Sequence, residues 1–422
     1  MLDTDTVEEK DPRVKTTTTN HHSVTLDHIR DIENKSINII NQLQQSLFSP
    51  DQQKVLRLRF SMSEAADMVG RSTQAIREAE KKALREAEES GTTPLFPIPE
   101  KGKNNRRLGY TLEQVNQMRA HFGTLPYRGP DDEPIIMAVA NFKGGVSKTT
   151  TSCHIAQAFA LKGYRVCFID TDPQGSATAL FGKNPDLNVH ENETLVPYMR
   201  GDRDSLHYAV QPTYFDGVSL IPANLHLYSA EQELVAFIHE NTAAFDRLLM
   251  GINSIKDDFD LIVIDPPPAL GMLSLSALRA ANALLVPVPP STVDFASTAH
   301  FFTMLSEEIE VLQNHGFEVS YKFLKVVATK VHENKSAHEA VLDMMRNLYG
   351  STMLDGVLKD SAEIDNASAR LMTVYELEGP ITSRDTHNRC KAYLNAVTNE
   401  IELLIRKTWP SHREALRKEG LI

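Results

Sequence analysis

Residues Met137–Thr151 read MAVANFKGGVSKTTT, and this stretch decides the fold. An apolar, β-favouring run (Ile135, Ile136, Met137, Ala138, Val139, Ala140) leads into Gly144 and Gly145. Lys148-Thr149-Thr150 then opens a helical pattern with Ile155, Ala156, Phe159 and Ala160 on one face. Strand, glycine loop and Lys-Thr at a helix start is how a chain holds nucleotide phosphates. Glycine lets backbone N–H groups converge on an anion, and the helix N-terminus adds partial positive charge. Lys143, Gly144, Gly145, Val146, Ser147, Lys148, Thr149 and Thr150 form that loop. Lys148 is placed against the β/γ-phosphates, and the Thr149 hydroxyl on Mg²⁺.

Working outward, Arg165–Asp170 (RVCFID) reads as a buried strand ending in Asp170-Thr-Asp172-Pro-Gln-Gly175. Leu261–Asp265 (LIVID) is a second, followed by three prolines; ALLVPV (283–288) and FLKVVAT (323–329) are two more. Continuous apolar strands indicate a parallel sheet covered on both faces. Strands alternating with helices predict an α/β, doubly wound, mostly parallel sheet of the P-loop type, with its ligand at the carboxyl ends of the strands. The phosphate loop, Asp170–Gly175 and Asp265 all fall at such ends. A carboxylate at Asp265 can hold Mg²⁺ directly or through water. Asp170 and Asp172, two apart, point to one side of an extended segment.

At 422 residues, 41% of them hydrophobic, the chain has room for two or three domains with a substantial core. Cys153, Cys167 and Cys390 have no ligand-like spacing, which points to a reducing, cytoplasmic setting. The opening MLDTDTVEEK does not read as a signal peptide, and no run approaches the ~18 apolar residues of a membrane span. Net charge is −12, unevenly spread: residues 1–130 carry 19 Lys/Arg against 18 Asp/Glu, the remainder 25 against 38. Nucleic-acid contacts must therefore come from local patches.

Residues 1–23 read as a mobile polar arm. From Leu26 to Phe48, Ile29, Ile32, Ile40, Leu43 and Leu47 recur at helical spacing; the helix either packs on its own domain or dimerises. Residues 1–50 thus form an arm plus a possible dimerisation helix. Ser61–Leu84 reads as a helix-turn-helix. Ser61-x-x-Glu64 can cap its first helix, Gly70 end it and Ser72 cap the next. The second helix carries Arg71, Thr73, Gln74 and Arg77, side chains suited to bases and phosphates. Lys101, Lys103, Arg106 and Arg107, with no acid among them, read as a wing on the DNA backbone. Residues 51–125 are assigned to this small, mainly helical winged domain. The Pro- and Gly-rich stretch 123–134 marks a boundary, and 126–422 is the nucleotide domain.

The strict pattern G-x-x-x-x-G-K-[ST] fails, because Phe142 and Ser147 occupy its glycine positions. What fits is K-G-G-x-x-K-[ST]-[ST], with the additional Lys143. The loop resembles that of the ParA/MinD deviant-Walker ATPases, many of which carry glycine where this chain has Ser147. With FIDTDPQGSAT, LIVIDPPPALG and the N-terminal helix-turn-helix, the chain resembles long-form ParA partition ATPases over most of its length. The resemblance implies Mg²⁺-dependent hydrolysis of ATP to ADP by a homodimer, open to higher-order assembly on DNA. Lys143 would reach the partner subunit's nucleotide, Asp172 orient the attacking water, and Asp170 support the Mg²⁺ side.

It further implies segregation of a plasmid or secondary chromosome with a ParB-type centromere-binding partner, in the cytoplasm on the nucleoid. The N-terminal domain would bind and repress the operator. The ATP-bound dimer would bind DNA non-specifically, with Arg370, Lys330 and Arg384 as candidates. A MinD-like membrane cycle fits poorly, since Pro410 interrupts the C-terminal helical pattern. A repressor using nucleotide only as a signal would need the loop but not Asp172.

Overall fold

The computed structural model describes residues 26–48, 51, 53–240, 246–314, 316–332 and 335–422. The polar arm lies outside them. The chain divides into two units, 1–53 and 54–422. The first holds α1 (Leu26–Phe48). Its Leu26, Ile29, Ile32, Ile39 and Leu43 are each more than half exposed.

The second unit opens with α2 (Met62–Val69) and α3 (Thr73–Ser90). Ser61 and Glu64 close a reciprocal cap: the Ser61 amide donates to the Glu64 carboxylate at 2.8 Å, and the Glu64 amide to Ser61 Oγ at 3.3 Å. Gly70, at φ 67°, stops α2 in the left-handed region, and Ser72 caps α3. Lys101 and Arg107 form an antiparallel bridge, and Phe60 pairs with Tyr110 just before α4 (Leu112–Phe122).

Arg107 departs from the sequence reading. Its guanidinium reaches back to the buried Glu80 of α3, donating to Oε2 at 3.0 Å and to the Tyr110 hydroxyl at 2.9 Å. Tyr110 in turn donates to Glu80 Oε1 at 2.6 Å. Arg107 thus fastens the hairpin to α3, and the open cations there are Lys101, Lys103 and Arg106.

The chain continues as β1 (Ile135–Val139), α5 (Lys148–Lys162), β2 (Val166–Asp170), α6 (Ser176–Leu180), α7 (Val196–Arg200), β3 (Gln211–Pro212) and β4 (Val218–Ile221). Next come α8 (Leu227–Glu240), α9 (Arg247–Ile255), β5 (Leu261–Asp265), α10 (Met272–Ala280), β6 (Ala283–Val288) and α11 (Thr292–Asn314). β7 (Phe323–Ala328), α12 (Ser336–Tyr349), α13 (Ala362–Ser368), α14 (Arg384–Thr408) and α15 (Arg413–Lys418) complete it. The seven-stranded sheet runs β3-β4-β2-β5-β1-β6-β7, and only the β3–β4 pair is antiparallel. The doubly wound sheet is as expected; β3 and β4 were not anticipated.

Alternate strand residues feed two cores. Ile135, Met137, Val166 and Phe168 join α5 and α14 on one face, while Ile136, Ala138, Cys167 and Ile169 join α7–α11 on the other. Val69, Ile76, Val115 and Met118 of the N-terminal helices belong to the first core. Arg119 bridges the same junction, donating to Met68 O at 3.1 Å and Leu161 O at 2.8 Å. Residues 54–422 are therefore one packed body, and the stretch 123–134 is a crossing rather than a break in packing. Among the described residues no helix is long and apolar enough to cross a membrane.

Arg107→Ala should lower stability by about 1–2 kcal/mol, because it removes the cationic partner of a buried carboxylate and leaves it only the Tyr110 hydroxyl. Arg106→Ala, on an exposed side chain, should not. Thermal midpoints of the two variants test this, and equal midpoints would contradict the fastening role.

Candidate functional site

Parallel pairing of β2 with β5 and of β5 with β1 brings their carboxyl ends together, with Asp170 directly opposite Asp265. Beyond these ends opens a cavity of about 650 Å³. Gly144, Gly145, Ser147, Lys148, Thr149 and Thr150 line it on one side, with Asp172. Lys330, Leu358–Ser361, Ile364, Asp365 and Leu371 line it as well.

The phosphate loop is pinned at both ends. Asn141 Nδ2 donates to Pro287 O at 3.0 Å, and Asn141 Oδ1 accepts from the Lys143 amide at 3.2 Å. Thr329 Oγ1, just past β7, donates to Val146 O at 3.0 Å. The turn into α5 is left-handed at Gly145 (φ 77°) and at Ser147 (φ 71°), where no side-chain cap is made. Four non-glycine residues have positive φ among those described, and three of them (Ser147, Lys330, Leu371) line this cavity. Such conformations cost about 1–3 kcal/mol each and concentrate where a ligand is gripped.

Lys148 is buried, and its Nζ donates to Lys143 O at 2.9 Å across the loop. Burial lowers its pKa, while Asp265 and Asp172 pull it back up. An anion in the loop would satisfy this cation in place of the carbonyl. Lys143 is ion-paired with Asp294 of α11 in its own chain, and the Asp294 carboxylate also accepts from Ser291 Oγ.

The two opposed carboxylates differ in what they hold. Burial, then the neighbouring Asp265, push Asp170 up to about 8. Both of its oxygens are engaged: Oδ1 accepts from the Asp172 amide at 3.1 Å, Oδ2 from the Thr178 amide at 2.9 Å and hydroxyl at 2.7 Å. Asp170, expected in a supporting role on the Mg²⁺ side, fastens the segment leading into α6. Burial raises Asp265 to about 6 against the Thr149 and Ser152 hydroxyls and Lys148. Ser152 Oγ lies 3.0 Å from its Oδ1, and Oδ2 is buried with no hydrogen-bond partner. That orphaned oxygen, beside a threonine hydroxyl, suits a hard divalent cation. Asp172 lines the cavity, and only its Oδ1 is engaged, by the Gln174 amide at 2.9 Å.

Ser152 and Thr178 were missed from sequence. Ser152 sits one helical turn after Lys148, a spacing that could have flagged it; nothing local marks Thr178. The expected DNA residues are dispersed. Arg71 donates to Phe122 O at 3.1 Å, Gln74 to Glu78 at 2.9 Å, and Thr73 is half-buried at the start of α3. Arg77, Arg370 and Arg384 are exposed, and Lys330 belongs to the cavity wall.

Ser147→Gly should raise stability by about 0.5–1 kcal/mol, the left-handed penalty being partly offset by the freer unfolded chain. Nucleotide affinity should be kept. A lower thermal midpoint for the variant would contradict the strained turn.

A family model described as an AAA domain matches residues 135–318, which include the phosphate loop, Asp172 and Asp265. Protein SopA of Escherichia coli is 36% identical over 373 residues, covering 86% of this chain and 92% of SopA. A solved structure described as a partition protein covers 90% of this chain and 98% of its own, with TM-score 0.63 and 22% identity. An ATP complex of McdA from Cyanothece covers 63% of this chain and 96% of its own, with TM-score 0.52 and 20% identity. Similarity to SopA along nearly the whole length, with a deviant phosphate loop at the carboxyl ends of a parallel sheet, identifies the chain: it belongs to the ParA-type partition ATPases.

Proposed function

We propose that this chain hydrolyses ATP to ADP and phosphate as the switch of a DNA-segregation system for a plasmid or secondary chromosome. The observation that carries the reading is that Lys148, Thr149 and Asp172 line one cavity behind a loop bearing Lys143, with Lys148 and Thr149 set against the buried, half-free Asp265. SopA and the solved partition protein support the biological setting, and the ATP in McdA supports the choice of nucleotide.

Phosphoryl transfer needs positioning and neutralisation of charge more than covalent help. Loop amides from Gly144 to Thr150 cradle the phosphates, and Lys148 leaves the Lys143 carbonyl to meet the β/γ oxygens. Thr149 and Asp265 would hold Mg²⁺, which when bound offsets the charge of the phosphate oxygens. Asp172 uses its unengaged oxygen to accept a hydrogen bond from water and aim it at the γ-phosphorus. Asp170 keeps Asp172 in place through its amide. Lys143 must leave Asp294 before it can reach a partner subunit's nucleotide, so dimerisation competes with a contact inside the chain.

The exposed apolar stripe of α1 is offered to a second copy, as a helix of heptad-like spacing would be. Operator binding is assigned to Arg71, Thr73, Gln74 and Arg77 with Lys101, Lys103 and Arg106, and non-specific DNA binding by the ATP-bound dimer to Arg370. A ParB-type protein, together with DNA, would stimulate a slow basal turnover on the nucleoid.

Phosphate release with and without DNA tests the catalytic part. Lys148→Ala should lose nucleotide binding. Asp172→Ala should keep it and release phosphate at least about 100-fold more slowly. Normal turnover by Asp172→Ala would overturn the assignment and favour a repressor that uses nucleotide only as a signal.

A further inference from the structure

Lys54 opens the compact unit, yet its side chain is buried. The ammonium donates to Leu180 O at 2.6 Å and Leu371 O at 2.5 Å, and meets the Glu376 carboxylate at 2.8 Å. Three protons thus find three acceptors. The Tyr214 ring lies 4.5 Å below the nitrogen. The aliphatic stem is held as tightly: a Cβ placed on Gly182 would stand 2.7 Å from Lys54 Cβ.

Leu180 and Leu371 both line the nucleotide cavity. Leu180 ends α6, the short helix fastened to Asp170 through Thr178 and preceded by the Asp172 loop. Leu371 sits at φ 53°, a strained turn whose carbonyl Lys54 takes. Glu376 ties the same point to α5, accepting from Gln157 Nε2 at 3.0 Å and from the Thr373 amide at 2.9 Å. In the other direction the chain reaches Phe60, whose amide and carbonyl pair with Tyr110 at 2.8 Å each, and then the cap of α2. One side chain therefore joins two walls of the cavity to the segment 54–60 that leads into α2.

We propose that Lys54 is a positioning residue that couples nucleotide in the cavity to residues 55–69. By holding their carbonyls from behind, it sets where Leu180 and Leu371 stand in the cavity wall. Displacement of either wall pulls on the ammonium, and through residues 54–60 on the Phe60–Tyr110 pairing and α2. The same linkage runs backwards, so whatever occupies the helix-turn-helix alters nucleotide affinity by the same factor. The inference rests on the nucleotide reading above but not on its DNA partners.

Amide hydrogen exchange of the full chain, with and without ADP and Mg²⁺, tests it on wild type and Lys54→Met, a substitution of similar length that removes the donors. In both, nucleotide should slow exchange across Gly144–Lys162. In wild type alone it should also slow residues 55–69, by about fivefold or more. A purely structural lysine would change the thermal midpoint but not this nucleotide-dependent difference. Equal protection of 55–69 in Lys54→Met overturns the proposal. So does the absence of any nucleotide effect there in wild type, an arm that decides even should the methionine variant not fold. Loss of protection at Gly144–Lys162 in wild type would instead sink the nucleotide reading itself, and the coupling with it.

Discussion

Asp170 and Asp265 occupy opposed positions at the ends of β2 and β5, both buried. Taking two carboxylates out of water side by side costs several kcal/mol per ion unless hydrogen bonds and opposite charge answer them. Much of the surrounding structure is that answer. Thr178 and the Asp172 amide give Asp170 three hydrogen bonds, which fixes where the loop to α6 must run. Ser152 and Lys148, one turn apart on α5, face Asp265. The remaining oxygen of Asp265 is the one place where the charge is left open, and it opens beside the phosphate loop. On the proposed reading, cation and nucleotide would complete an electrostatic arrangement that the sheet has already imposed.

Much of this was legible from sequence, for a physical reason. Buried parallel strands need unbroken apolar runs, and Asp170 and Asp265 sit where those runs stop. β1, β2, β5, β6 and β7 announce themselves in this way, and so does the loop between β1 and α5. β4 has only four residues and β3 two, one of them a proline tolerated at the antiparallel edge. Neither carries enough pattern to stand out. The caps around α2 and α3 were also readable, because a cap is set by neighbours three residues apart.

What stayed hidden depends on partners distant in sequence. Arg107 belongs to Glu80, 27 residues earlier, and a local run of basic residues gives no sign of it. Lys143 belongs to Asp294, and Lys54 reaches Leu180 and Leu371, 126 and 317 residues away. The partners of Asp170 are hidden for a similar reason: which donors meet a carboxylate is decided by the fold, and nothing local in the sequence marks Thr178 as one of them. The packed junction at Arg119 explains why residues 123–134 look like a linker yet do not separate two bodies. A Pro- and Gly-rich stretch reports local backbone preference, not how much surface is buried on either side.

On the proposed function, Lys143 must exchange Asp294 for a nucleotide held by a second subunit. Analytical sedimentation of wild type, Lys143→Ala and Asp294→Ala with ADP or a non-hydrolysable ATP analogue, with and without non-specific duplex DNA, measures that exchange. Wild type and Asp294→Ala should form a DNA-bound dimer with the ATP analogue only, Asp294→Ala at lower analogue concentration, and Lys143→Ala should not form it. Assembly that ignores the nucleotide, or that Lys143→Ala forms as readily as wild type, would contradict the account.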